Sequence, residues 1–232
     1  MPSASPWGAP IVMVRKPKGG WRMCLDYRLG NAVAVKQHYP LPRVQECIDR
    51  IGSARYFASF DVLKAFWQIP NSAETQPKTA VNFPWGKWEF RTMPMGMQAA
   101  SATYQRIMDV LLRDLDFCVG YIDDSILFSE TWETHLTHVA IVLDRIGGAG
   151  LTLNPAKCEI GKSSVPFLGH LVSAEGTRPD TKKIAAVRDA PFPTTKKDMH
   201  HWVALAGFYA PFMDKFAVIT EPLHAYIHSK PR

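Results

Sequence analysis

Between Phe117 and Phe128 the chain reads Phe-Cys-Val-Gly-Tyr-Ile-Asp-Asp-Ser-Ile-Leu-Phe, two apolar runs broken by the adjacent acids Asp123 and Asp124. Aspartate is a poor strand residue, whereas the flanking residues favour strand. The pattern therefore predicts an antiparallel hairpin with the acids at its tip. An isolated hairpin is barely stable in water, so its apolar residues require further strands and covering helices. A plain turn accounts for the acid pair taken alone. A second observation makes more of it: Tyr56 to Val62 is another apolar, aromatic run, with Asp61 near its end. If that strand lies beside the hairpin, three carboxylates converge at one sheet edge and raise one another's pKa. Divalent cations remove the conflict, and hard carboxylate oxygens suit Mg²⁺ or Mn²⁺. Two such ions about 3.5–4 Å apart stabilise both the attacking and the leaving oxygen in phosphoryl transfer.

The rest of the chain supplies elements to build on. Ile11 to Val14 and Arg22 to Leu25 are short strand candidates around the turn chemistry of Lys16-Pro17-Lys18-Gly19-Gly20, giving a hairpin with a basic tip. The first ten residues, with Pro2, Pro6 and Pro10, read as an extended leader. Val44, Cys47, Ile48 and Ile51 fall at helical spacing, and Gly52 ends the helix. Residues 71–94 are turn-rich and carry Trp85 and Trp88. From Ala99, the residues Tyr104, Ile107, Met108, Leu111, Leu112 and Leu115 share one helical face. A further helix runs through Leu136, Val139, Ala140, Leu143 and Ile146, stopped by Gly147, Gly148 and Gly150. Strands are expected at 151–153 and 166–172. Asp180 caps a helix with Ile184 and Val187, and Thr195 with Asp198 forms a capping box before Met199, Trp202, Val203 and Ala206. Strands, helices and a hairpin in this order indicate an α+β fold, an antiparallel sheet with helices on one face.

Composition narrows the class. Over 232 residues, 47% hydrophobic and 21% charged content is that of a globular chain. No apolar run approaches the roughly 20 residues of a membrane span, and the polar, Pro-rich start is not a signal peptide. Four cysteines, Cys24, Cys47, Cys118 and Cys158, lack zinc-ligand spacing and read as reduced thiols in an intracellular protein. The net charge of +6 is concentrated at the two ends, residues 1–30 and 176–232, each with a surplus of four basic residues over a near-neutral middle. Basic ends around a neutral centre suit the two walls of a groove for an anionic partner.

Six segments in order resemble the reverse transcriptases of gypsy-type long-terminal-repeat retrotransposons and, more distantly, of retroviruses. Tyr121-Ile122-Asp123-Asp124 matches the YxDD box, and Phe60-Asp61-Val62-Leu63-Lys64-Ala65-Phe66-Trp67-Gln68-Ile69 the strand bearing the first catalytic aspartate. Met93 to Met97 and Ala102 to Arg106 match MPFGL…ATFQR, and Trp21 to Arg28 matches WRMCVDYR. Gly150 to Cys158 and Phe167-Leu168-Gly169-His170 match two later boxes. The resemblance implies a right-hand polymerase, its antiparallel palm sheet backed by helices. Fingers would fall at about 1–36 and 70–98, palm at 37–69 and 99–175, and thumb at 176–232.

The resemblance also implies roles. Asp61, Asp123 and Asp124, with the Val62 carbonyl, would hold two Mg²⁺ ions, Mn²⁺ being the possible substitute. Lys16 and Arg22 would meet the incoming triphosphate, Arg by its fork and Lys as a point charge; the bland alternative is solvated surface charge. The amides of Lys64 and Ala65 would face the same triphosphate. Phe66 would be the gate that clashes with a ribose 2′-OH, or else a core aromatic. Met95, Gly96 and Tyr121 would line the nucleotide site, and Lys157 would protonate the departing pyrophosphate. Phe167, Leu168, Gly169 and His170 would form the primer grip; His170 is not expected to bind metal, having no partner at a useful spacing. The implied partners are a primed RNA or DNA template and deoxynucleotides, with no membrane. Such a chain is an RNA-directed DNA polymerase; an inactive remnant that binds nucleic acid is the alternative, and a metal-dependent phosphohydrolase a weaker one. Lys64, Gly30, Ser101 and Met95 depart from the usual residues, as does His200-His201-Trp202-Val203-Ala204, but none removes a metal ligand. With no protease, ribonuclease H or integrase segment in it, the chain reads as a fragment of a longer product or a decayed copy.

Overall fold

The structure is a computed structural model describing residues 1–16 and 19–229, so Pro17 and Lys18 of the expected basic turn lie outside the described residues. The chain forms two compact units, Met1–Ser163 and Ser164–Arg232.

The first unit is organised by the sheet that the acid-bearing segments predict. Its strands are β3 (Tyr56–Asp61), β6 (Cys118–Tyr121), β7 (Asp124–Ser129) and β8 (Glu159–Lys162) in the order β6-β7-β3-β8, all pairs antiparallel. Ahead of β3 lie β1 (Ile11–Arg15), β2 (Trp21–Leu25), α1 (Arg28–Val33) and α2 (Val44–Asp49). Between β3 and β6 come the hairpin of β4 (Val81–Phe83) and β5 (Gly86–Trp88), then α3 (Gln98–Leu111). The helix α4 (Trp132–Gly148) follows β7. Strand alternation sorts the sheet into two faces. Ala58, Phe60, Cys118 and Leu127 point to the side where α3 and α4 pack, joining Tyr104, Met108, Val139, Val142 and Ile146 in one buried cluster. Gly120 sits where α3 crosses: a β-carbon there would lie 2.9 Å from Leu112 Cδ1.

The leader is tied down rather than free. Ala9 donates to the Ala80 carbonyl (2.8 Å) and accepts from Asn82 (2.9 Å), and Ser3 donates to Lys87 (3.0 Å), so residues 2–9 bridge onto the β4–β5 hairpin. The expected strand at 151–153 is reduced to a single bridge between Leu153 and Val62.

The second unit holds a meander of β9 (Ser164–Phe167), β10 (His170–Ser173) and β11 (Gly176–Pro179), followed by α5 (Thr181–Arg188), α6 (Lys196–Gly207) and α7 (Phe216–His228). The single strand expected at 166–172 is two strands, because Leu168 (φ 47°) and Gly169 (φ 87°) make a tight reversal with both central residues left-handed. The capping box is present: Thr195 Oγ1 accepts from the Asp198 amide (3.1 Å), and Asp198 Oδ2 from the Thr195 amide (3.2 Å). The sequence pattern misses α7 because Pro222 interrupts it, although that residue lies within the helix. The units divide at Ser163/Ser164, so residue 175, the expected last palm residue, lies in the β10–β11 turn of the second unit.

A histidine relay holds α4 to the sheet. The Gly161 amide donates to His135 Nε2 (3.3 Å), so the proton of that imidazole is on Nδ1, which donates to Ser129 Oγ (3.3 Å). The Ser129 hydroxyl in turn donates to His138 Nδ1 (2.9 Å), and the His138 ring stacks on Phe117 at 3.6 Å. Burial holds both imidazoles below the ordinary histidine value of 6.5, and at His135 the neighbouring His138 adds to the effect. A proton on His135 Nε2 would remove the acceptor that the Gly161 amide uses. The contribution of the two rings to stability is therefore intact above the ordinary value and is lost as pH falls below it, where the unfolded chain takes up protons that the folded one refuses. The urea midpoint is expected to fall between about pH 7.5 and pH 5.5, and His135→Gln to flatten that dependence.

Candidate active site

Two strand ends and one turn assemble the acids. In the β3–β7 register Asp61 is directly opposite Asp124, and in the β6–β7 register Tyr121 is opposite Asp124. Directly paired residues share a face, so Asp61, Asp124 and Tyr121 form a row on the face away from Ala58 and Leu127. Asp123 lies between, in the two-residue turn with Ile122, whose φ of 53° is left-handed. That conformation is rare for a β-branched side chain. Like charges directly opposite in a sheet repel, so this register requires a compensating positive charge.

Lys157 supplies one: its Nζ is 3.0 Å from Asp61 Oδ2. The chain brings it there by stitching the 152–158 segment to the end of β3. Leu63 donates to the Thr152 carbonyl (2.9 Å), and the amide of Asn154 donates to the carbonyl of Asp61 (2.8 Å). The Asp61 amide also contacts Cys158 Sγ at 3.4 Å. Gln68 locks the same junction, accepting from the Thr152 amide (2.7 Å) and donating to its carbonyl (2.9 Å). Both partners of the Lys157–Asp61 pair are partly exposed, so the pair itself adds little stability.

The donor set is chemically suited to a hard divalent cation, having carboxylate oxygens and no competing soft ligand apart from the Cys158 thiol. Among the described residues, however, no three His, Cys, Asp or Glu side chains are gathered at ligation distance. The acids share a sheet face and a turn, and Lys157 occupies Asp61.

Around the acids the expected residues are placed as follows. After Asp61 the chain turns through Lys64, left-handed at φ 52°, into a short 3₁₀ segment Ala65–Gln68. The Phe66 ring packs edge-on against Tyr104 at 5.3 Å and is only half buried. Tyr104 itself is fully buried, its hydroxyl has no hydrogen-bond partner among the described residues, and burial first, then Asp123 and Asp61, push its pKa upward. Met95 is exposed. Gly96 has φ 95°, and a β-carbon there would lie 3.3 Å from the Leu25 carbonyl, so a side chain at this position meets backbone. Lys16 and Arg22 are exposed on the β1–β2 hairpin, and among the described residues neither forms an ion pair. Phe167, Leu168, Gly169 and His170 make the β9–β10 turn in the second unit, where His170 is buried and stacks on Phe208 at 5.2 Å.

Two site-shaping residues lie outside the set read from sequence. Asn31 on α1 clamps the Met95–Gly96 loop, donating to the Gly96 carbonyl (2.8 Å) and accepting from the Gln98 amide (2.9 Å). Gln105 on α3 is fully buried behind the acid-bearing turn. The available signal was a lone amide at helical spacing, i, i+3 and i+7, with Met108 and Leu112.

Comparison with known proteins bears on the family and the fold. Residues 14–172 match the family described as Reverse transcriptase (RNA-dependent DNA polymerase). Across 99% of its length the chain is 33% identical to the retrovirus-related Pol polyprotein from transposon 297 of Drosophila melanogaster, and across 96% it is 35% identical to that from transposon opus of the same fly. The enzymatic polyprotein of cauliflower mosaic virus (strain Strasbourg) is 34% identical over 97% of the chain. The chain spans 22%, 23% and 34% of the length of these relatives. In fold it is similar to the foamy viral protease-reverse transcriptase solved with double-stranded DNA, with a TM-score of 0.92 at 24% identity over 100% of this chain and 41% of that one. The same viral protein with an RNA/DNA hybrid gives 0.88 at 23% identity, covering 100% and 31%. A family match over most of the chain, with the paired acids inside it, means that the chain belongs to the reverse transcriptase (RNA-dependent DNA polymerase) family.

Proposed function

We propose that this chain is the polymerase part of a retroelement reverse transcriptase, extending a primer 3′-OH with deoxynucleotides on an RNA or DNA template and releasing pyrophosphate. The observation that carries the reading is the direct cross-strand pairing of Asp61 with Asp124 beside a turn that holds Asp123. A sheet that sets like charges opposite each other is built for a cationic reaction centre. The solved complexes of a fold relative with double-stranded DNA and with an RNA/DNA hybrid support a nucleic-acid duplex as the partner.

Asp61, Asp123, Asp124 and the Val62 carbonyl would hold two Mg²⁺ ions, or Mn²⁺ in their place. Bound there, such ions neutralise phosphate charge and favour the deprotonated attacking oxygen. The chain's own groups do the rest. Lys157, which pairs with Asp61, would give a proton to the leaving pyrophosphate. Lys16 and Arg22 present positive charge to the triphosphate, and the amides of Lys64 and Ala65 donate to it. Phe66, braced by Tyr104, stands against a 2′-OH, while Met95, Gly96 and Tyr121 line the nucleotide site. The Phe167–His170 turn acts as primer grip. Residues 1–36 and 70–98 serve as fingers, 37–69 and 99–175 as palm, and 176–232 as thumb, in an intracellular setting, either a cytoplasmic particle or the nucleus. No helix among the described residues is long and apolar enough to cross a membrane.

Extension of a DNA primer on poly(rA) with dTTP and Mg²⁺ tests the reading. The parent chain is expected to extend, and Asp123→Asn to lose about 1,000-fold or more in rate with primer–template binding retained. Salt-sensitive binding without any extension by the parent would support the alternative of a nucleic-acid-binding remnant. The gate is tested separately: Phe66→Ala is expected to raise ribonucleotide incorporation relative to deoxynucleotide by about tenfold or more.

A further inference from the structure

The turn that carries the acids is strained, and one buried side chain holds it from behind. Ile122 is left-handed at φ 53°, a conformation that costs a β-branched residue energy and persists only where its surroundings fix it. Gln105 provides that fixing. Its Oε1 accepts from the Ile122 amide at 2.6 Å. Its Nε2 donates one hydrogen to the Gly120 carbonyl at 3.1 Å and the other to Asp109 Oδ1 at 2.7 Å. Both of its donor hydrogens and one acceptor site of its oxygen are thus used, and the amide cannot flip without setting oxygen against oxygen. Asp109 is held in turn by the Tyr39 hydroxyl, which donates to Oδ2 at 2.6 Å. The bonds to Gly120 and Ile122 straddle Tyr121, and Asp123 follows Ile122 directly.

From this network we propose that Gln105 is a positioning residue: through its two backbone bonds it sets the turn geometry that aims Asp123 and Asp124, and Asp109 with Tyr39 orients its amide. Glutamine is required chemically. A carboxylate lacks the donors, an aliphatic chain lacks both functions, and asparagine is a methylene shorter. Gln105 touches no substrate, and its effect passes through the backbone. The effect on catalysis rests on the polymerase reading; the clamp itself does not.

The experiment compares the whole chain with two variants, Gln105→Met and Asp109→Asn. Methionine fills the space without hydrogen bonds. In Asp109→Asn the glutamine keeps both backbone bonds: the side-chain oxygen introduced at position 109 still accepts from Gln105 Nε2, and the introduced amide donates to the Tyr39 hydroxyl. Amide hydrogen exchange at Ile122 is expected to quicken about tenfold or more in Gln105→Met and to stay near the parental rate in Asp109→Asn. In primer extension Gln105→Met is expected to lose about 100-fold in kcat, with KM for the nucleotide and Kd for primer–template within about threefold of the parent. Asp109→Asn is expected to keep most of the parental rate. Parental exchange and extension in Gln105→Met would overturn the proposal, as would equal impairment of both variants, since Asp109→Asn leaves both backbone bonds of Gln105 in place. If the parent itself does not extend, exchange alone decides the clamp, and it is the polymerase reading that fails.

Discussion

Two carboxylates set opposite each other across adjacent strands are the constraint on which the first unit depends. Asp61 and Asp124 stand in direct register, an arrangement a sheet tolerates only when something else fixes the register. Here the apolar alternation does so. A one-residue slip between β3 and β7 would turn either Ala58 and Phe60 or Leu127 out of the cluster they form with α3 and α4. The hydrophobic side of the sheet therefore dictates where charge collects on the other. The 152–158 segment then brings Lys157 to Asp61 through backbone bonds rather than through the ion pair.

The surrounding elements serve the same end by local means. A left-handed residue stands at each sharp change of direction: Lys64 after the first acid, Ile122 before the second, and Leu168 in the β9–β10 turn. Each is a place where the chain accepts conformational cost to aim the next few residues. Asn31 and Gln68 act in the same way on loops, each making both a donor and an acceptor bond to backbone. Side-chain amides are the recurrent fastener here, because one group satisfies a carbonyl and an amide together.

Much of this was legible in the chain. The acid pair between apolar runs gave the β6–β7 hairpin, periodicity gave α3 and α4, and Thr195 with Asp198 gave the start of α6. What stayed hidden has physical causes. Pro222 masks α7, since periodicity reasoning treats an internal proline as a stop. Leu168 offers no sign that it will take a left-handed turn, so β9 and β10 read as one strand. The leader reads as extended, but what it pairs with does not show, because its partners, Ala80, Asn82 and Lys87, are distant in sequence. Gln105 was visible as a residue of a recognisable box but not as a clamp, because its partners lie on a strand and turn that only the fold brings against α3.

Gly120 shows how little space this arrangement leaves. Helix α3 approaches β6 so closely there that a single added carbon would sit 2.9 Å from Leu112. The contact is between the β6 backbone and the side chains of Leu112 and Met108. A side chain at position 120 would have to displace Leu112, so the seating of the end of α3 against the hairpin that carries Asp123 is tuned to a hydrogen atom at that one position.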